Sequence, residues 1–219
     1  MSPVTIDEIE IADRPEDWAA LGFALDGERC PIGGVTLRLT GRGEASGVLG
    51  WSLRGLASTE LDGLPTSSSE RPATPPALPH PNGIVSIDHL VAVSPALDRT
   101  VAALQAAGLN LRRIREEPTP AGAPRQAFFR LGREILEVVQ EPDEVIERRG
   151  GADRPAHFWG LALLVDDIDA TVAAIAPHAG PPRAAVQPGR RIATVARSAG
   201  VSVPLALITR EQQQPASED

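Results

Sequence analysis

Few side chains in this 219-residue chain can do chemistry, and their types narrow what that chemistry is. The chain contains no lysine and no tyrosine, which excludes Schiff-base lysine chemistry and tyrosine acid catalysis. Cys30 is the only cysteine, so no internal disulfide forms. No GxSxG nucleophile elbow occurs. GRGEASG at Gly41 lacks the Lys-Ser/Thr of a phosphate loop and reads as a hairpin turn. What stands out is His89, in IVSIDHLVAV, and Glu137, in EILEVV. Imidazole nitrogen and carboxylate oxygen together suit Zn, Ni, Mn or Fe, although a tight protein site uses three or four ligands. Side chains alternate faces along a strand. His89 therefore shares a face with Val91 and Val93, and Glu137 with Ile135 and Val139.

The elements that must position these residues come as a repeat. IDHLVAVSPALDRTVAALQAAG, from Ile87, returns seventy-one residues later as FWGLALLVDDIDATVAAIAPHAG, from Phe158. DRTVAAL matches DATVAAI without a gap, but His89 meets Gly160. Each copy opens with a β-branched strand. A helix follows, with Ser94 and Asp166 expected as N-caps and Gly108 as the stop of the first. LNLRRIRE, RQAFFRLG and EILEVVQ then read as three strands, giving β-α-β-β-β. A more diverged copy lies at the front, where VTIDEIEIA echoes VSIDHLVAV, Asp13 is the expected helix cap, and Glu8 takes the place of His89. The predicted layout is a diverged module in 1–64, then a Pro/Ser-rich exposed linker at 65–82. A domain of two modules (84–142 and 157–210) fills 83–210, and 211–219 is a disordered tail.

IDHLVAV, EILEVV and GLALLVDDID resemble the vicinal oxygen chelate superfamily, the glyoxalase, bleomycin-resistance and extradiol dioxygenase group. The resemblance implies an α+β fold in which two βαβββ modules curve one mixed sheet around a cup. It also implies a divalent metal held by the first and last strands of each module. Carried onto this sequence, those positions are His89, Glu137, Gly160 and Ala206, so two carry ligand-type side chains and two carry none. His157 lies three residues before Gly160 and needs a bulge to reach the same face.

These residues predict a glyoxalase-like, small-molecule-binding protein with a degenerate metal site and no cofactor beyond a weakly bound divalent metal. The binding set is His89, Glu137, Gln126, Phe128, Gly160, Ala206 and Arg190, with His89 and Glu137 as the metal-type pair. One alternative is a metal-dependent lyase, isomerase or dioxygenase; another is a structural or interaction module without a ligand. The net charge of −8 and the lack of a basic stripe argue against nucleic acid. No apolar run reaches membrane-spanning length and no signal core opens the chain, which predicts a cytoplasmic location and no membrane contact. An unpaired third module leaves an apolar half-cup with exposed strand edges, which either curls back on the main sheet or meets its own copy in a homodimer, the homodimer being favoured.

Overall fold

The computed structural model describes residues 3–73, 79–119 and 122–210. The front module runs β1 (Thr5–Ile11), α1 (Pro15–Ala20), β2 (Arg29–Ile32), β3 (Val35–Leu39) and β4 (Val48–Arg54), with β5 (Thr66–Ser68) added behind it. The second runs β6 (Ile84–Ser94), α2 (Leu97–Ala106), β7 (Asn110–Arg115), β8 (Gln126–Leu131) and β9 (Glu134–Gln140). Helix α3 (Asp143–Arg148) links it to the third module. That module is β10 (His157–Val165), α4 (Ile168–Ala174), β11 (Arg183–Ala184), β12 (Arg191–Thr194), a 3-10 turn at Arg197–Ala199, and β13 (Leu205–Thr209).

Modules two and three share one eight-stranded mixed sheet, ordered β11-β12-β13-β10-β6-β9-β8-β7. Strands β6 and β10 meet antiparallel at its centre, and Leu90 pairs with Leu161. Those two residues are also equivalent under the seventy-one-residue shift. The pseudo-two-fold between the modules therefore passes through that pair, and the sequence repeat and the hydrogen-bond ladder have one register.

Module one forms its own five-stranded sheet, β2-β3-β1-β4-β5. Ile9, Leu37 and Leu53 join the same apolar core as Leu90, Leu136 and Leu161. Trp51 meets Phe158 edge-on, with ring centroids 5.2 Å apart. Among the described residues module one shows no apolar half-cup. The face that carries Glu8 is filled by charge: Arg29 and Arg38 pair with Glu8 at 2.9 and 3.1 Å, and Arg54 and Arg71 hold Asp7. A buried carboxylate needs such partners.

The segment expected to be an exposed linker is pinned at both ends. Thr66 accepts the Trp51 indole N–H at 2.8 Å, and β5 extends the first sheet beside β4. His80 and Asn82 are buried against module one, where His80 Nδ1 accepts the Ala24 N–H and Asn82 donates to the Leu21 carbonyl. The tail from 211 lies outside the described residues.

Helix starts differ by one or two residues from the sequence expectation. Asp167, not Asp166, caps α4 by accepting the N–H groups of Asp169 and Ala170. Ala96 occupies the cap position of α2, while Ser94 is buried and hydrogen-bonded to Thr100 and to the Ala96 N–H. Asp13 does not cap α1, whose cap position is Arg14. It instead accepts the Trp18 indole N–H and, across the molecule, the Ser202 N–H.

Candidate functional site

Two rows of side chains cross the cup face. One runs Phe128, Glu137, Val91, Gly160; the next runs Arg130, Ile135, His89, Ala162, Ala206. His89 and Glu137 are thus diagonal neighbours, and His89 Nε2 lies 3.4 Å from a Glu137 oxygen. Gln126 is buried and donates its amide N–H to the other Glu137 oxygen. Phe128 stands beside Glu137, and the Arg113 guanidinium lies 4.7 Å from the centroid of its ring. Gly160 and Ala206 sit on the module-three side, but Gly160 faces Val91 and it is Ala162 that faces His89.

A bulge brings in a residue that alternation assigned to the opposite face. Ile87 pairs with Leu163 and His89 with Ala162, so Asp88 is an extra residue in β6. Bulges re-aim side chains. Asp88 comes within 2.8 Å of His89 Nδ1, on the side of the ring away from Glu137. Arg190 then reaches Asp88 from the β11–β12 turn at 2.5 Å and also donates to the Thr209 carbonyl. Burial would raise the Asp88 carboxyl, but hydrogen bonds from His89 and Arg190 outweigh it and hold Asp88 below the usual carboxylate range. A carboxylate thus stands at each ring nitrogen, Asp88 at Nδ1 and Glu137 at Nε2, and the two fix the orientation of the imidazole. Asp88 carried no signal in the sequence beyond its place next to His89.

The same bulge recurs in each module. In β1 the extra residue is Asp7, between the pairs of Ile6 and Glu8. In β10 it is Trp159, between those of Phe158 and Gly160. Trp159 is the module-three counterpart of Asp88, and it is 54 % exposed. It lines a cavity of about 590 Å³ with His89, Ala162, Arg197, Leu205 and Ala206. The bulge also puts His157 on the face of Val93, two rows from His89. There its neighbours are Glu141, Arg149 and Arg154, and burial lowers its imidazole. It does not complete a set with His89.

The residues present do not fit a tightly held metal. Among the described residues no three of His, Cys, Asp or Glu converge on one point. Asp88 and Glu137 flank opposite nitrogens of one ring, so a single ion cannot use both together with His89. Gly160 has no room for a ligand, because even a Cβ there would lie 2.7 Å from the Pro204 carbonyl oxygen.

A curved mixed sheet built from two βαβββ modules, with its polar groups on the inner face, defines the class: this is the vicinal oxygen chelate fold. Among solved structures, a 4-hydroxymandelate synthase mutant from Streptomyces coelicolor superposes with a TM-score of 0.64 at 14 % identity, covering 98 % of this chain and 94 % of that one. A xylose isomerase-like TIM barrel/4-hydroxyphenylpyruvate dioxygenase fusion protein gives 0.60 at 13 % identity over 98 % of this chain. This chain spans 50 % of that protein's length. Methylmalonyl-CoA epimerase from Mycobacterium tuberculosis matches 62 % of this chain at 15 % identity and a TM-score of 0.49. No family model and no curated protein matches the sequence. No described helix is long and apolar enough to cross a membrane.

Proposed function

We propose that this protein binds a small organic molecule in the module-three half of the cup, with His89 as its polar anchor and no tightly held metal. The observation that carries this reading is the cavity of about 590 Å³. Its size is that of small-molecule sites, and it combines mostly apolar walls with a few polar groups. Ala162 and Ala206 leave the space, and Trp159 supplies a flat apolar wall. Asp88, Glu137, Gln126 and Arg190 fix the His89 ring rather than reach the ligand themselves. The free, buried Cys30 thiol suits a reducing, cytoplasmic compartment.

The test is a thermal-shift screen of small organic compounds, with and without divalent metals, on the full chain and on His89→Ala. The expected result is a compound that raises the melting temperature of the wild type, does so without metal, and has less effect on His89→Ala. Stabilisation only in the presence of one equivalent of metal, lost in both His89→Ala and Glu137→Ala, would instead establish the metal-dependent lyase or dioxygenase reading.

A second reading is a metal-free proton-transfer enzyme at the same site. The arrangement that favours it is the Asp88–His89–Glu137 line, an imidazole oriented at Nδ1 with a carboxylate near Nε2. Exchange of an acidic C–H proton of a bound compound into deuterated water, abolished in His89→Gln, distinguishes it from binding alone.

A further inference from the structure

The cavity wall holds one formally charged side chain, Arg197, and no carboxylate. Among the described residues Arg197 has no ion-pair or hydrogen-bond partner for its guanidinium, whereas Arg42, which shares a smaller crevice with it, is taken by Asp17. Arg197 belongs to the rim, at the 3-10 turn Arg197–Ala199, and the rim just beyond it is tied to module one at Gly200 and Ser202. Asp13, fully buried, accepts the Ser202 N–H at 2.8 Å while the Trp18 indole holds its other oxygen at 3.1 Å. Ser202 Oγ in turn accepts the Gly47 N–H at 2.7 Å, and Arg42 donates to the Gly200 carbonyl. Ser46, next to that clamp, lines the same cavity. A smaller crevice of about 380 Å³ continues along the seam past Arg197 and Ser46, with Glu44 as its carboxylate.

Building on the small-molecule reading above, we propose that the cavity selects an organic anion, its charge met by Arg197, and that module one serves as the clamp that positions the Arg197 rim. An unpaired guanidinium beside apolar walls favours a carboxylate, sulfonate or phosphate over a neutral molecule of the same shape. The first module is then part of the binding site. Asp13 and Ser202 are positioning residues.

The test uses two fluorescent probes with one skeleton: 8-anilinonaphthalene-1-sulfonate and its uncharged relative N-phenyl-1-naphthylamine. The expected result is saturable one-to-one binding of both to the full chain, with the sulfonate about tenfold tighter at low salt. Arg197→Gln, an exposed position without a partner, removes that preference and leaves the affinity for the neutral probe unchanged. Ser202→Ala frees the rim from Gly47 and lowers the preference several-fold, with thermal unfolding confirming an intact fold. Equal affinities in the wild type, or a preference that survives Arg197→Gln, overturns the anion assignment while the cavity reading stands. A preference unchanged in Ser202→Ala overturns the clamp. If neither probe binds the wild type, the cavity reading falls and this proposal falls with it.

Discussion

Gly160 is where the repeat most plainly invites a repair, since restoring a histidine there would match His89, and the structure says the repair fails. A Cβ built on Gly160 lies 2.7 Å from the Pro204 carbonyl oxygen and 3.2 Å from Pro204 Cβ. That oxygen cannot simply retreat, because it accepts the Leu161 N–H at 3.0 Å. Gly160→Ala therefore either overpacks the β10–β13 seam, at about 1–3 kcal/mol, or sacrifices a buried hydrogen bond, at about 1–3 kcal/mol. These are alternative responses and do not add. The smaller entropy of the unfolded alanine chain returns about 0.4–1 kcal/mol. The net expectation is a loss of about 1–2 kcal/mol, which at roughly 2–4 °C per kcal/mol for a chain of this size lowers the melting temperature by about 2–8 °C. Urea unfolding followed by circular dichroism measures it. Gly34→Ala is the control: nothing lies within 4 Å of its Cβ, so stability holds or rises slightly. Gly160→His adds to the strain and gains no stoichiometric zinc by calorimetry. A Gly160→Ala protein as stable as the wild type, or a Gly160→His protein that binds zinc one-to-one through His89, would refute the packing argument.

Three further outcomes follow from single residues. Glu137→Ala strips the Gln126 amide of its acceptor and His89 Nε2 of its neighbour, so chemical denaturation should show a loss of about 1–3 kcal/mol, with Glu137→Gln losing less. The folded state lowers the Asp88 carboxyl, so its stabilisation is fully present above the unfolded value of about 3.9 and fades as pH falls through the lowered folded value; in urea titrations Asp88→Asn should therefore differ from wild type at pH 7 and converge on it in strong acid. Burial alone pushes the Cys30 thiol up to about 12, so iodoacetamide should leave the native protein unmodified at pH 8 and alkylate it only once it is unfolded.

What the sequence shows well is what packing imposes. Alternation in VSIDHLVAV and the helix phase of DRTVAAL and DATVAAI arise because one face of each element enters the core. A gapless shift of seventy-one residues was therefore enough to find the axis between Leu90 and Leu161. The same alternation put His89 on one face with Val91 and Val93, and Glu137 with Ile135 and Val139; that the two faces meet was implied by the resemblance. What it hides is anything that depends on residues far apart in the chain. The Arg190–Asp88 pair joins residues 102 positions apart, and the Asp13–Ser202 bond joins residues 189 apart. Asp13 looked like a helix cap because Asp before a proline-led helix is a local signal. Its actual partner, a backbone N–H in module three, leaves no local trace. The anchoring of the linker is hidden for a similar reason: a Ser/Pro-rich composition says that little is available to bury, but not that Thr66 and Ser69 serve as hydrogen-bond partners for Trp51 and Asp7.

The bulges explain more than any single missed contact. A strict period of two would send Asp88 to the core side of β6, where a carboxylate has no tolerable place. One inserted residue turns it back beside His89 and gives it Arg190. The insertion falls at the equivalent point in all three modules, so it is a property of the βαβββ unit, and only the side chain carried on it varies. In module one it is Asp7, consumed by Arg54, Arg71 and Ser69, which closes that cup. In module two it is Asp88, which orients an imidazole. In module three it is Trp159, beside a glycine too tightly packed to carry a ligand, and there the cup stays open. The repeat keeps its helix and its bulge because folding requires both. The residue on the bulge, together with the one after it, decides whether each cup is sealed, polarised or left as a pocket.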